Sequence, residues 1–398
     1  MIDDKRAVQL LTTLTHEPGT PSGVDLDRAV REGRRRRGRR RVSAALGVVA
    51  VTAAVAVGTP VALSALRPPA PESVAPAASV KPSTGSAPAA LARVRSCEQV
   101  DLATPGGARP ATSGDDAAIE AMDPAGRWLA GTAGDDLTVW RDRTVQDRAT
   151  FPNGKPIVAA VSPAGVIVGS HEPVEDTLQA WAWSEGKLTM LKAGAKSAQA
   201  FGVNDDGTIA GWQGDADHWR AVVWEDISAE PIVLPLPAGY TTSRSLGISS
   251  DGTVLGDVGR GGEHLLYRWN ADHRGGKVIP SPVVDGTTVR NPANFVAGDG
   301  WLAAEGTLDG KQVGLRYEVA AGRWTAVPAG IDRPAAVNAR GWIVGDDLRT
   351  ETARLFDGTK ILTLPSSAAG GRASVRAVSA DGRLLGGQAG GATLWTCS

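Results

Sequence analysis

Few residues in this chain have the types and spacing that chemistry needs. The densest polar group is Gln213, Asp215, Asp217 and His218, flanked by Trp212 and Trp219. Carboxylates beside an imidazole suit cation coordination or, with a partner group, acid–base work. An exposed, solvated loop carries the same residues with no chemistry at all, and that is the leading reading of them. A second set, His171, Glu172, Glu175 and Asp176, lies in the corresponding segment one repeat earlier. The other histidines, His16, His264 and His273, are scattered. No GxSxG, HExxH or Walker motif occurs, nor a GxGxxG ahead of a helix. Two isolated cysteines are too few for a thiolate metal site. No catalytic residue, metal or cofactor is therefore expected, and the chain reads as a non-enzyme.

The elements that would carry these residues form an internal repeat. Its plainest copy runs Ala200-Phe201-Gly202-Val203-Asn204-Asp205-Asp206-Gly207-Thr208-Ile209-Ala210-Gly211, then Ala221-Val222-Val223-Trp224. This reads as a strand, a polar turn, a second strand and a third strand ending on an aromatic. Pro231-Ile232-Val233-Leu234 supplies a fourth. The turn glycine recurs as Gly126, Gly165, Gly207, Gly252, Gly300, Gly341 and Gly382. Glycine fits because such turns put one residue at positive φ. The glycine closing strand two recurs as Gly131, Gly169, Gly211, Gly256, Gly345 and Gly386, with Ala304 in the degenerate fifth copy. The aromatic recurs as Trp140, Trp183, Trp224, Trp269, Tyr317, Phe356 and Trp395, and its expected role is blade packing. Four short strands per unit of this size predict an all-β fold, a seven-bladed β-propeller.

The last copy stops at its third strand, Ala392-Thr393-Leu394-Trp395, while Cys97-Glu98-Gln99-Val100-Asp101-Leu102 is a strand without a copy. The N-terminal strand is expected to complete blade seven. Antiparallel pairing then sets the start of one strand against the end of the other, within bridging distance for a Cys97–Cys397 disulfide. In such a ring, the loops between strands two and three share a face with the blade-to-blade connections. Trp212, Asp215, Asp217, His218, His171 and Glu172 are thus candidate binding residues on one rim. The inner strands carry no acid except Glu120, which counts against a glycosidase channel lined by carboxylates.

The pattern A-x-G-[VI]-N-x-x-G-x-[IV]-x-G followed by A-x-x-W resembles the extracellular HAF-type repeat over about residues 118–395. The His-Ala-Phe signature of that family is absent; His218 precedes Ala221 by three, and His264 lies similarly in copy four. The resemblance implies a β-propeller and transfers no catalytic residue.

Net charge is -1 overall, but residues 1–42 carry +5 and include Arg34, Arg35, Arg36, Arg37, Arg39, Arg40 and Arg41. Residues 43–66 then hold no charge. This stretch is long enough to span a bilayer as a helix, and the Arg cluster places the N-terminus in the cytoplasm. A cleaved signal peptide ending near Ala62-Leu63-Ser64 is the competing reading. Residues 67–96, rich in Pro, Ala and Ser, read as an extended linker, and residues 97–398 as the propeller. An Arg-rich tail ahead of one span is similar to many membrane-anchored actinobacterial proteins. The basic run lacks interleaved aromatics, so nucleic acid is not an expected partner.

The leading expectation is a membrane-anchored, extracytoplasmic binding or scaffold module for an external protein or polysaccharide. One alternative is a transmembrane sensor whose Leu10, Leu11 and Leu14 face holds a cytoplasmic protein. Another is a propeller glycoside hydrolase or lyase.

Overall fold

The computed structural model describes residues 93–104, 117–151, 153–215, 218–368 and 372–398. The tail, the apolar segment 43–66, most of the linker and Asp217 lie outside the described residues. Among the described residues no helix is long and apolar enough to cross a membrane.

Seven four-stranded antiparallel sheets follow one another along the chain. Blades one to six span 118–150, 156–190, 197–233, 242–278, 290–327 and 333–363. A small extra hairpin, Val283–Val284 with Thr287–Thr288, sits in the connection between blades four and five. Blade seven is composite: Cys97–Asp101 pairs with Ala392–Cys397 as its outer strand, with Cys97 opposite Cys397. The two sulfurs are bonded across 300 residues of sequence. The predicted all-β propeller and its closure are both present.

All seven turn glycines adopt φ between 69° and 84°. In every blade but the fifth, the residue three before the glycine starts the turn with its carbonyl, as at Asn204, where the Gly207 N–H donates at 3.2 Å. Buried side chains lock the exit: Asp123 accepts the Trp128 N–H, Asn204 that of Thr208, Asn338 that of Trp342 and Ser379 that of Leu384. These glycines also let neighbouring blades touch. An added Cβ at Gly165 would lie 2.6 Å from the Trp128 ring, and one at Gly341 2.8 Å from the Trp301 ring.

The second glycine has a different cause. The inner strand of each blade carries a β-bulge, an extra residue without a partner across the ladder. It lies between Ile119 and Ala121, Val158 and Ala160, Ala200 and Gly202, Ser245 and Gly247, Pro334 and Ala336, and Val375 and Ala377. The backbone two residues before the extra one presses onto strand two. A Cβ at Gly131 would meet the Ala118 carbonyl at 1.7 Å, and one at Gly211 the Gln199 carbonyl at 2.0 Å. In blade seven this role belongs to Gly387, against the Ser374 carbonyl at 2.1 Å, rather than to Gly386 as the sequence spacing suggests. Gly386 instead makes room for the Ile119 side chain of blade one. In blade five Ala304 brings a methyl group to the spot. There the inner strand, Arg290–Gly298, shows two irregularities, and Asn291 and Asn294 take positive φ.

The seven aromatics are buried, as expected. Four indoles also tie their blade to the incoming connection: Trp140 donates to Ala103, Trp224 to Lys192, Trp269 to Pro235 and Trp395 to Pro365, each at 2.7–2.8 Å. In blade five Tyr317 cannot do this, and Trp324 of the outer strand donates to Pro280 instead. In blade two the ring packed over the glycine is that of Trp181, with Trp183 buried beside it and donating to Asp147. We expect Trp224→Phe to lose about 1–3 kcal/mol, combining one hydrogen bond and a small void. Denaturant unfolding of Trp224→Phe against wild type checks this.

Candidate functional site

The sequence candidates do not converge. His171 is not on a loop: the second strand of blade two runs on through Ile167–Val174, and the imidazole is 2% exposed. It packs against Phe151 at 5.0 Å between ring centres. Its Nδ1 has no partner among the described residues, and burial pushes its pKa down, so it is a neutral core residue. The apolar neighbourhood, rather than local sequence, lengthens the strand. Glu172 follows it and is exposed; its carboxylate accepts the Asp176 N–H at 2.9 Å.

In blade three, Asp215 ends strand two and His218 opens strand three, directly opposite each other in the ladder. Asp215 accepts the Lys196 N–H from the incoming connection at 3.0 Å, so this end of strand two and that connection lie together. Trp212 and Trp219 pair at 6.1 Å between ring centres. Strand alternation puts that Trp pair on the opposite face of the sheet from Asp215 and His218. Among the described residues no hydrogen bond or ion pair joins the blade-two set to the blade-three set, and no cluster of three metal-binding side chains occurs.

The charged groups that do converge line the central channel. A cavity of about 740 Å³ opens between the inner strands, walled in part by alanines such as Ala118, Ala159, Ala160, Ala335 and Ala336. Two of the bulged positions project charge into it: Glu120 of blade one and Arg376 of blade seven. A bulge re-aims the side chain it carries, which is how these two leave the ordinary pleat. Glu120 accepts the Thr132 hydroxyl at 2.9 Å and the Val158 N–H of blade two at 3.0 Å. Burial pushes its carboxyl above the ordinary value of 4.5, opposed by those two bonds and by the positive charges of Lys155 and Arg376.

A carboxyl raised in the folded state contributes stability below its unfolded pKa and loses it as pH rises through the folded value. Relative to Glu120→Gln, wild type should therefore be most favoured below about pH 4.5 and lose that advantage as pH rises. Paired melting curves across pH would show it; a gap that does not change with pH would mean the carboxyl is not desolvated.

Arg376 connects the channel to a side cavity of about 490 Å³ at the rim of blades six and seven. There Asp346, buried at the end of the second strand of blade six, accepts Arg376 Nη1 at 2.7 Å and Arg333 Nη2 at 3.1 Å. Its other oxygen accepts the Val375 N–H at 3.2 Å. Sequence reading found Glu120 as the lone inner acid but missed Arg376, Arg333, Asp346 and Lys155. A signal existed: the bulged residue is always three before the turn-starting residue, a column that reads Glu120, Ala159, Phe201, Leu246, Ala335 and Arg376.

No family model matches the chain, and no curated protein matches it. Solved structures do resemble it. A streptogramin B lyase aligns with a TM-score of 0.51 at 12% identity, covering 76% of this chain and 97% of that one. The virginiamycin B lyase of Staphylococcus aureus aligns with a TM-score of 0.50 at 13% identity, covering 76% of this chain and 98% of that one. At such identities the likeness is one of fold: residues 97–398 form a seven-bladed β-propeller, as the solved structures that resemble it bear out.

Proposed function

We propose that the chain is a non-enzymatic binding module, displayed outside the cell on a membrane anchor, and that the channel of its propeller receives the ligand. The observation that carries this reading is the chamber itself. Its volume lies in the range of small-ligand pockets, and its walls set alanine faces beside polar side chains and a few charged groups at fixed points. Glu120 spends both oxygens on donors of the scaffold, which fixes its carboxyl in place. The Cys97–Cys397 bond fits an oxidising, extracytoplasmic compartment.

The test is to fill the chamber without harming the ring. Blade three carries Phe201 at the bulged position that Ala335 occupies in blade six, so this backbone accepts a phenyl group there. Ala335→Phe should fold normally and lose the partners crosslinked to wild type in intact cells. An unchanged set of partners would show that binding occurs elsewhere.

A further inference from the structure

We propose that the rim cavity between blades six and seven is a carboxylate site, in which Arg333 and Arg376 together hold the carboxylate of a small molecule whose uncharged body extends into the channel. This deepens the binding-module reading and rests on it.

The argument begins with Asp346. A buried carboxylate needs compensating partners, and Asp346 has three: both guanidinium groups and the Val375 N–H. The arrangement leaves the cations the less saturated side. Among the described residues, Arg333 uses only Nη2 on a side-chain partner, and Arg376 uses only Nη1, which also reaches the carbonyl of the preceding Val375 at 3.2 Å. Both arginines line one cavity, and a single buried anion orients them there. Guanidinium is planar, and its paired N–H groups match a planar carboxylate in a two-bond fork.

The other charges at this rim are already matched. Asp347 pairs with Arg354 at 2.9 Å, and Glu351 pairs with Arg372. Asp346 balances one of the two cations it orients, and Lys155 offsets Glu120 on the channel side, which leaves one positive charge for a ligand. The walls agree with a carboxylate that has a body attached. Ser374, Arg376 and Gln388 line both the rim cavity and the channel, so the two spaces communicate. A ligand anchored at the arginines would lay its uncharged part along Ala335 and Ala336, with the Gln388 amide available to a hydroxyl or carbonyl.

Calorimetric titration of the full-length chain with butyrate and with glucuronate tests the assignment, with phosphate and sulfate as separate arms. The expected result is saturable binding of at least one carboxylate, weakened about ten-fold or more in Arg333→Gln and in Arg376→Gln, with phosphate and sulfate bound more weakly. Arg333→Lys and Arg376→Lys keep the charge and lose the fork; they should also weaken binding, which guards against a Gln variant that fails to fold. Three outcomes overturn the proposal: no saturable carboxylate binding at millimolar concentration, binding indifferent to both arginines, or phosphate bound as tightly as the carboxylates. Ala335→Phe separates this from the broader reading. If it abolishes crosslinked partners while the arginine variants keep them, the channel binds and the carboxylate assignment fails alone.

Discussion

Replacing Cys97 and Cys397 together with serine should cost the propeller much of its stability and free its outermost strand. The chain-entropy treatment of a 300-residue loop gives about 5–6 kcal/mol, an upper figure because the open chain is not fully random. A typical domain has only about 5–15 kcal/mol in total. The loss should be local first. With the bond gone, Cys97–Asp101 is held by its ladder to Ala392–Cys397 and by Gln99, which contacts Ser367 at 2.7–2.8 Å. Hydrogen exchange at residues 97–101 should therefore accelerate before global unfolding. Equal exchange in the serine variant and wild type would mean that the ladder alone closes the ring.

The second large effect concerns the glycine of strand two. In Gly211→Ala the new methyl would lie 2.0 Å from the Gln199 carbonyl, which is backbone and cannot rotate away. The inner strand of blade three must then shift, at a cost of about 3 kcal/mol or more. Blade five shows what the shift looks like, since Ala304 already stands there and its inner strand has a second irregularity. The reciprocal change, Ala304→Gly, should be tolerated within about 1 kcal/mol, because it relieves crowding while adding backbone freedom. If Gly211→Ala melts like wild type, the close approach at this glycine is not what requires it.

Much of this fold was legible because the features that build it are local and repeated. The turn glycines, the buried aromatics and the orphan strand ahead of Ala118 each announce one structural need, and each occurs in copy after copy. The phase of the last copy even placed the disulfide. What escaped depends on contacts across blades. His171 looks like a loop residue among Glu172, Glu175 and Asp176, yet Phe151 and the strand beside it bury it. Trp181 rather than Trp183 covers Gly169, a choice made by ring packing two residues apart on the same strand. The charged channel was hidden because a bulge breaks the alternation by which strand faces are read. Glu120 and Arg376 lie 256 positions apart in the chain, and only ring closure makes them neighbours.

The position of the disulfide within its strand has a mechanical consequence. Any pull from the segment ahead of Cys97 acts on the outer edge of blade seven and would open that edge one rung at a time, the weakest way to load an antiparallel pair. The Arg95 N–H to Ser398 carbonyl bond, at 2.6 Å, meets the force first. The covalent link then sits at the very first rung, Cys97 opposite Cys397. Tension is thus passed into Ala392–Cys397, a strand bonded on both sides, before a second rung can open. The clasp therefore lends the edge strand the hold of its two-sided neighbour, and a pull on residue 97 meets two ladders instead of one.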